Sequence, residues 1–209
     1  MATPARSLRI WRAALIGGLA LCTASVRAAT ISVDTTSDFA SRRTCPLRSA
    51  IVAANTNAAV AGRAAGDPGL DTIDLRNARQ TCTARPCTIG LQSVLPTVTE
   101  DLTIDGGTLQ PTIARTGAAQ FGILRLGAVT ANIKNVVLKD GDALSDAGGA
   151  IRLDGTNLTV TGVTFTSNRA SGHGGAIFAY IGSTLRVIDS TFGENRGAVS
   201  YTHLRAHET

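Results

Sequence analysis

Apolar residues recur at every second position in short bursts through the second half of the chain. Leu158-Thr-Val160-Thr and Leu185-Arg-Val187-Ile alternate in this way, and Gly, Asn or Asp closes each burst. A period of two rather than 3.6 predicts β-strands, and the punctuation limits them to about 3–5 residues. Strands that short do not fold alone, so each must bury its apolar side against a neighbour.

The bursts repeat. Leu124-Arg125-Leu126 returns as Ile151-Arg152-Leu153 at an offset of 27, which also lays Ile133 on Val160, Val136 on Val163 and Leu138 on Phe165. A second step of 27 lays Leu158 on Leu185, Val160 on Val187, Phe165 on Phe192 and Asn168 on Asn195. Gly148-Gly149-Ala150-Ile151 recurs as Gly174-Gly175-Ala176-Ile177 at 26, so a turn absorbs one residue. This pattern predicts an all-β fold, a right-handed parallel β-helix solenoid of about six coils stacked at about 4.8 Å. Leu138, Phe165 and Phe192 then form an inward column. Asn168 and Asn195 stack at a turn, where their amides satisfy backbone groups. A leucine-rich repeat, the competing solenoid, has a shorter period or more leucine.

Upstream, Thr72-Ile73-Asp-Leu75, Thr88-Ile89-Gly-Leu91 and Leu102-Thr-Ile104-Asp-Gly106 read as less regular strands. Pro46 to Asn55 follows a helical period instead. Leu47, Ile51 and Ala54 share one face, Pro46 suits a first helical position, and Thr44 or Cys45 is placed to cap. A short capping helix there would cover the open N-terminal end of the coil. The expected layout is an N-terminal strand, helix and loop over 29–68 and coils over 69–198.

The two ends depart from this texture. Arg6, Arg9 and Arg12 precede an uncharged apolar stretch from Ala13 to Val26, and Val26 and Ala28 occupy the −3 and −1 positions of a small-residue site. That order is the order of a secretory signal peptide over 1–28, with cleavage after Ala28. Cys22 offers a lipoprotein site as the rival, which Leu21 fits poorly because a small residue belongs before the lipidated cysteine. At the other end, 199–209 resembles one reading frame of the transposon-end adapter used in sequencing libraries. The expectation is a native sequence cut near Ala198, with any membrane anchor in the part beyond.

Charge changes the picture once the ends are set aside. The chain has 20 basic and 15 acidic residues. Without Arg6, Arg9, Arg12 and Arg27 in the leader, and Arg205 and Glu208 in the tail, 15 basic residues face 14 acidic ones. Nucleic acid and acidic membrane surfaces are therefore not indicated. Cys45, Cys82 and Cys87 remain, and export favours a disulfide. Cys82 and Cys87 bracket a short loop, but all three pairings stay open from sequence. The spacing is not that of a zinc site, and no metal or other cofactor is expected.

Candidate chemistry is thin. Asp140, Asp142, Asp146 and Asp154, with Lys139 and Arg152 nearby, are the groups a polysaccharide lyase or hydrolase would draw on. Most fall beside glycines, as solvated turn residues do. An offset of 27 lays Asp140 on Ser167 and Asp154 on Ile181, so no acidic column is expected. Arg125 and Arg152 stack, and the same offset brings Ala179 next, ending the ladder. His173, between glycines, reads as an exposed turn residue.

Thr44-Cys45-Pro46-Leu47-Arg48-Ser49-Ala50-Ile51-Val52-Ala53-Ala54-Asn55 resembles the Cys-Ser-Leu-Arg-Glu-Ala-Ile-x-x-Ala-Asn signature of CSLREA-domain proteins. Pro46 and Ser49 depart from it. The Gly-Gly-Ala-Ile repeats, with Phe165-Thr-Ser-Asn168 and Phe192-Gly-Glu-Asn195, are similar to the repeats of polymorphic outer-membrane proteins. The resemblance implies a secreted or cell-surface β-helix and no established reaction, so no catalytic residue is carried over. The expected function is an exported, adhesin-like or structural scaffold, with surface glycans or neighbouring cell surfaces as partners. A polysaccharide-acting enzyme is the alternative.

Overall fold

The computed structural model describes residues 28–198 apart from 42, 61–63, 83–85 and 145–146. The expected leader, the 199–209 tail and Asp146 fall outside the described residues, Ala28 excepted. The alternating bursts form strands that pair in parallel with their counterparts one repeat away. The largest sheet stacks Thr30–Ser32, Asp71–Asp74, Leu102–Asp105, Thr130–Lys134, Asn157–Thr161 and Thr184–Ile188. A second stacks Thr88–Leu91, Thr112–Arg115, Val137–Lys139, Thr164–Thr166 and Thr191–Gly193. Two smaller sheets hold Leu124–Leu126, Ile151–Leu153 and Ile177–Ala179, and Asp142–Ala143, Arg169–His173 and Arg196–Ala198. The chain visits the four sheets in turn before stacking on itself, so the fold is a parallel β-helix. Six strands line its largest side, but only three line each of the smaller ones, so the earlier coils are incomplete.

The core runs along the axis as columns. Ile31, Ile73, Ile104, Ile133, Val160 and Val187 lie in register in the largest sheet. Their branched side chains suit the pleated surface. Ile89, Ile113, Leu138, Phe165 and Phe192 form the column of the second sheet. Phe165 is wholly buried, while Phe192, on the last strand, stacks on it at 4.6 Å between ring centres yet stays half exposed. Each fully buried inward side chain contributes roughly 1.5–3 kcal/mol through burial.

Asn168 is the buried polar element of the repeat. Its Nδ2 donates to the Leu138 carbonyl and to Asn195 Oδ1, each at 2.9 Å, and its Oδ1 accepts from Gly141 N at 2.9 Å. Asn195 repeats the bond one coil on, donating to the Phe165 carbonyl at 2.9 Å. The glycine doublets have an equally local cause. Gly148 and Gly174 have φ of +79° and +65°, where a side chain is strained. A Cβ on Gly149 would collide with the Gly175 carbonyl and the Arg169 backbone in the next coil.

The helix covers Leu47–Thr56. Pro46 is its N-cap rather than its first residue. Its ψ of 161° keeps its backbone extended while its carbonyl accepts from Ala50 N at 3.1 Å. Asn57, at φ 50°, ends the helix in the left-handed conformation that asparagine tolerates. The face of Leu47, Ala50, Ile51 and Ala54 is buried in one cluster with Ile31 and Ile73. Cys82 and Cys87 form a disulfide with Cα atoms 5.4 Å apart, and Cys45 is buried away from it beside the helix.

Candidate functional site

Three clusters of charged or aromatic side chains stand out from the repeating framework. The first belongs to the helix and is a fastening. Arg48 donates to Asp38 through Nε and Nη2, and its guanidinium also reaches the Ser93 and Val94 carbonyls. Asn55, two turns along the same face, donates to the Thr97 carbonyl at 2.7 Å and accepts from Thr99 N at 2.9 Å. Two polar positions thus tie the helix to the segment 93–99, which has little regular structure of its own. Neither was assigned a role from sequence. The sign was there, since they are the helix's one charged residue and its one side-chain amide.

The second cluster lines an open groove of about 580 Å³ where the second sheet turns into the fourth. Arg115 donates to the Asp140 and Gly117 carbonyls at 2.9 and 2.8 Å. Asp142 is not the solvated turn residue expected from its neighbouring glycine. It is buried on a strand, and both its oxygens accept from Arg169, at 3.3 and 3.0 Å. The column above Asp140 continues through Ser167 to Glu194, whose Oε2 meets Ser167 Oγ at 3.1 Å. Stopping one coil early hid Glu194 from the sequence comparison. Asp140, Ser167 and Glu194 all have positive φ, of 59°, 55° and 56°, so the corner turn repeats with the coil. A proton-transfer role for Asp142 would require breaking its fork with Arg169.

The third cluster stands on the outer face of the third sheet. Arg125 and Arg152 stack in register as the repeat predicts, but the next residue in the column is Phe178, not Ala179. The turn from Arg169 to Gly174 is one residue shorter than that from Asp142 to Gly148, which shifts the next strand by one position. A one-residue shift exchanges inward and outward side chains. Ala179 therefore faces the core above Leu153, and Phe178 faces out. The residue is recovered before Thr184, in a loop whose Ile181 is 85% exposed.

Asp154 was also expected in solvent. Its Oδ2 accepts from Arg125 Nε at 2.8 Å, and its Oδ1 from Arg152 Nε at 3.0 Å. The Arg152 guanidinium lies 5.9 Å from the Phe178 ring centre. His173 is exposed, as its flanking glycines suggest, and its ring is 6.1 Å from that of Phe178. Phe178 in turn lies 6.3 Å from Tyr180. Arg152, His173, Phe178 and Tyr180 share a surface depression of about 370 Å³. Sequence comparison at a fixed offset separated these residues; the shifted strand gathers them.

Among the described residues, no three His, Cys, Asp or Glu side chains converge as a metal ion would need. Among them too, no helix is long and apolar enough to cross a membrane.

No curated protein and no solved structure matches the chain. Residues 162–180 match the model of the Chlamydia polymorphic membrane protein repeat. That stretch holds Phe165, Asn168, the second glycine doublet, and the Phe178 and Tyr180 rings. Over those 19 residues the chain is similar to that membrane-protein repeat.

Proposed function

We propose that this chain is an exported, surface-displayed β-helix rod with an adhesive or structural role. The observation that carries the reading is the repeat match at 162–180, which falls on three successive strands of the parallel solenoid, Thr164–Thr166, Arg169–His173 and Ile177–Ala179. A rod of stacked coils holds its outward side chains in fixed columns, which suits a surface presented to glycans or to other cells. In this reading 1–28 directs export, and the helix with its Arg48 and Asn55 ties closes the N-terminal edge of the largest sheet. The likeness to the CSLREA signature supports that closing role, because its arginine and asparagine are the two residues that make the ties. The polysaccharide-cleaving alternative draws no specific support from the groove, where Asp142 is tied to Arg169 and Glu194 to Ser167.

Protease shaving of intact cells producing the full chain tests the proposal. Peptides from 29–198 should be released from unbroken cells, and the mature N-terminus should be Ala29. Recovery only from the cytosolic fraction, with the leader retained, would overturn it.

A further inference from the structure

Large rings are scarce here, and they are not spent only on the core. Among the described residues the Phe, Tyr and Trp positions are Phe39, Phe121, Phe165, Phe178, Tyr180 and Phe192. Two of these six, together with the one described histidine, meet on the outer face of the third sheet. Phe178 lies on the strand Ile177–Ala179 and Tyr180 directly follows it, with the two rings 6.3 Å apart. One coil earlier, Arg152 underlies Phe178, and Asp154 follows Leu153, whose carbonyl accepts from Tyr180 N at 2.9 Å. The result is a block of two rings beside a donor and an acceptor. Tyr180 is 53% exposed, and its backbone is fixed by bonds to the Leu153 carbonyl and from Ser183 N.

The composition of the block selects its ligand. An apolar protein segment would strip water from the Asp154 carboxylate, which is costly. A quaternary ammonium would meet the Arg152 guanidinium already lying over Phe178. A polyanion would meet Asp154 between the two arginines. A pyranose ring suits the block: its C–H face lies against the exposed Tyr180 ring, which Phe178 buttresses, and its hydroxyls donate to Asp154 and accept from Arg125 and Arg152. We infer that Phe178, Tyr180, Arg152 and Asp154 form a binding site for a neutral pyranose polysaccharide. The inference rests on the surface-rod reading and names the partner of that surface.

Affinity electrophoresis of the full exported chain tests it, in native gels cast with soluble β-glucan, α-glucan, xylan, mannan or polygalacturonate. At least one neutral polymer should retard the protein. Tyr180→Ala and Phe178→Ala should each weaken retardation about tenfold, as expected on losing a stacking ring. Asp154→Asn should weaken it too, while Arg186→Ala, on the largest sheet, should leave it unchanged. Circular dichroism of each variant confirms that the strands persist. No retardation by any neutral polymer overturns the site, as does retardation unaffected by the two ring variants. Retardation by polygalacturonate alone, abolished by salt, also overturns it, since that is charge attraction. None of these outcomes alters shaving of intact cells, so the site can fail while the surface reading stands.

Discussion

Arg48 grips Asp38 as a fork, Nε to Oδ1 at 3.1 Å and Nη2 to Oδ2 at 2.9 Å, with the aspartate side chain only 1% exposed. Asp38 Oδ2 also accepts from Gln92 N at 2.9 Å. One carboxylate therefore joins the helix, the loop before it and the start of the 93–99 segment.

Removing the arginine leaves that carboxylate buried without its cation. Arg48→Ala should cost about 3 kcal/mol in urea unfolding. Arg48→Lys should recover little of it, because an ammonium cannot reproduce the fork. The double variant Arg48→Ala/Asp38→Ala should lose clearly less than the two single losses together.

Asn168 is wholly buried. Asn168→Ala strands the Gly141 N–H and the Leu138 carbonyl inside the coil, and each such group costs about 1–3 kcal/mol. Asn195→Ala, on the partly exposed last coil, should cost less. Thermal unfolding of the two variants side by side gives the comparison.

The stacked phenylalanines make the same point with apolar groups. Phe165→Ala should cost about 3–5 kcal/mol, the loss for a buried ring that leaves a cavity. Phe192→Ala should cost only about 0.5–1.5 kcal/mol, because its ring is half exposed and stacks on one neighbour. Equal losses would contradict the burial difference.

Gly149 sits where the next coil passes too close for any side chain. Gly149→Ala should lower the melting temperature sharply and broaden the transition, since the clash is with backbone and cannot be relieved by a rotamer. Gly193→Ala, with open space around the added methyl, should be close to neutral.

Asp74 carries the acid sensitivity. Hydrogen bonds from the Arg76 side chain, Nε at 2.8 Å and Nη2 at 2.7 Å, hold its carboxyl below the usual carboxylate range, aided by Arg76 N and opposed by burial. A folded pKa below the unfolded one means the pair stabilises the fold above the ordinary aspartate pKa of about 3.9. That contribution is lost as pH falls through the lower folded value. Asp74→Asn should flatten the acid limb of stability between about pH 5 and pH 2, measured by urea midpoints.

The sequence by itself determined the parallel solenoid, because burial on one face of short strands repeats wherever the coil repeats. Leu138, Phe165 and Phe192, and Asn168 with Asn195, were legible as stacked pairs for that reason. The helix was legible from its apolar face, but the ties of Arg48 and Asn55 to the 93–99 segment were not, since the carbonyls they bind lie more than 40 residues away. Whether the 26-residue offset of the glycine doublets or the 27-residue offset of the strands governs Phe178 was decided by the tertiary structure, which turns it outward. A constant offset places Ala179 above Arg152, and one residue lost in a turn reverses which side chain meets the core. Strand pairing responds to the spatial register of backbone hydrogen bonds, not to a fixed count along the chain.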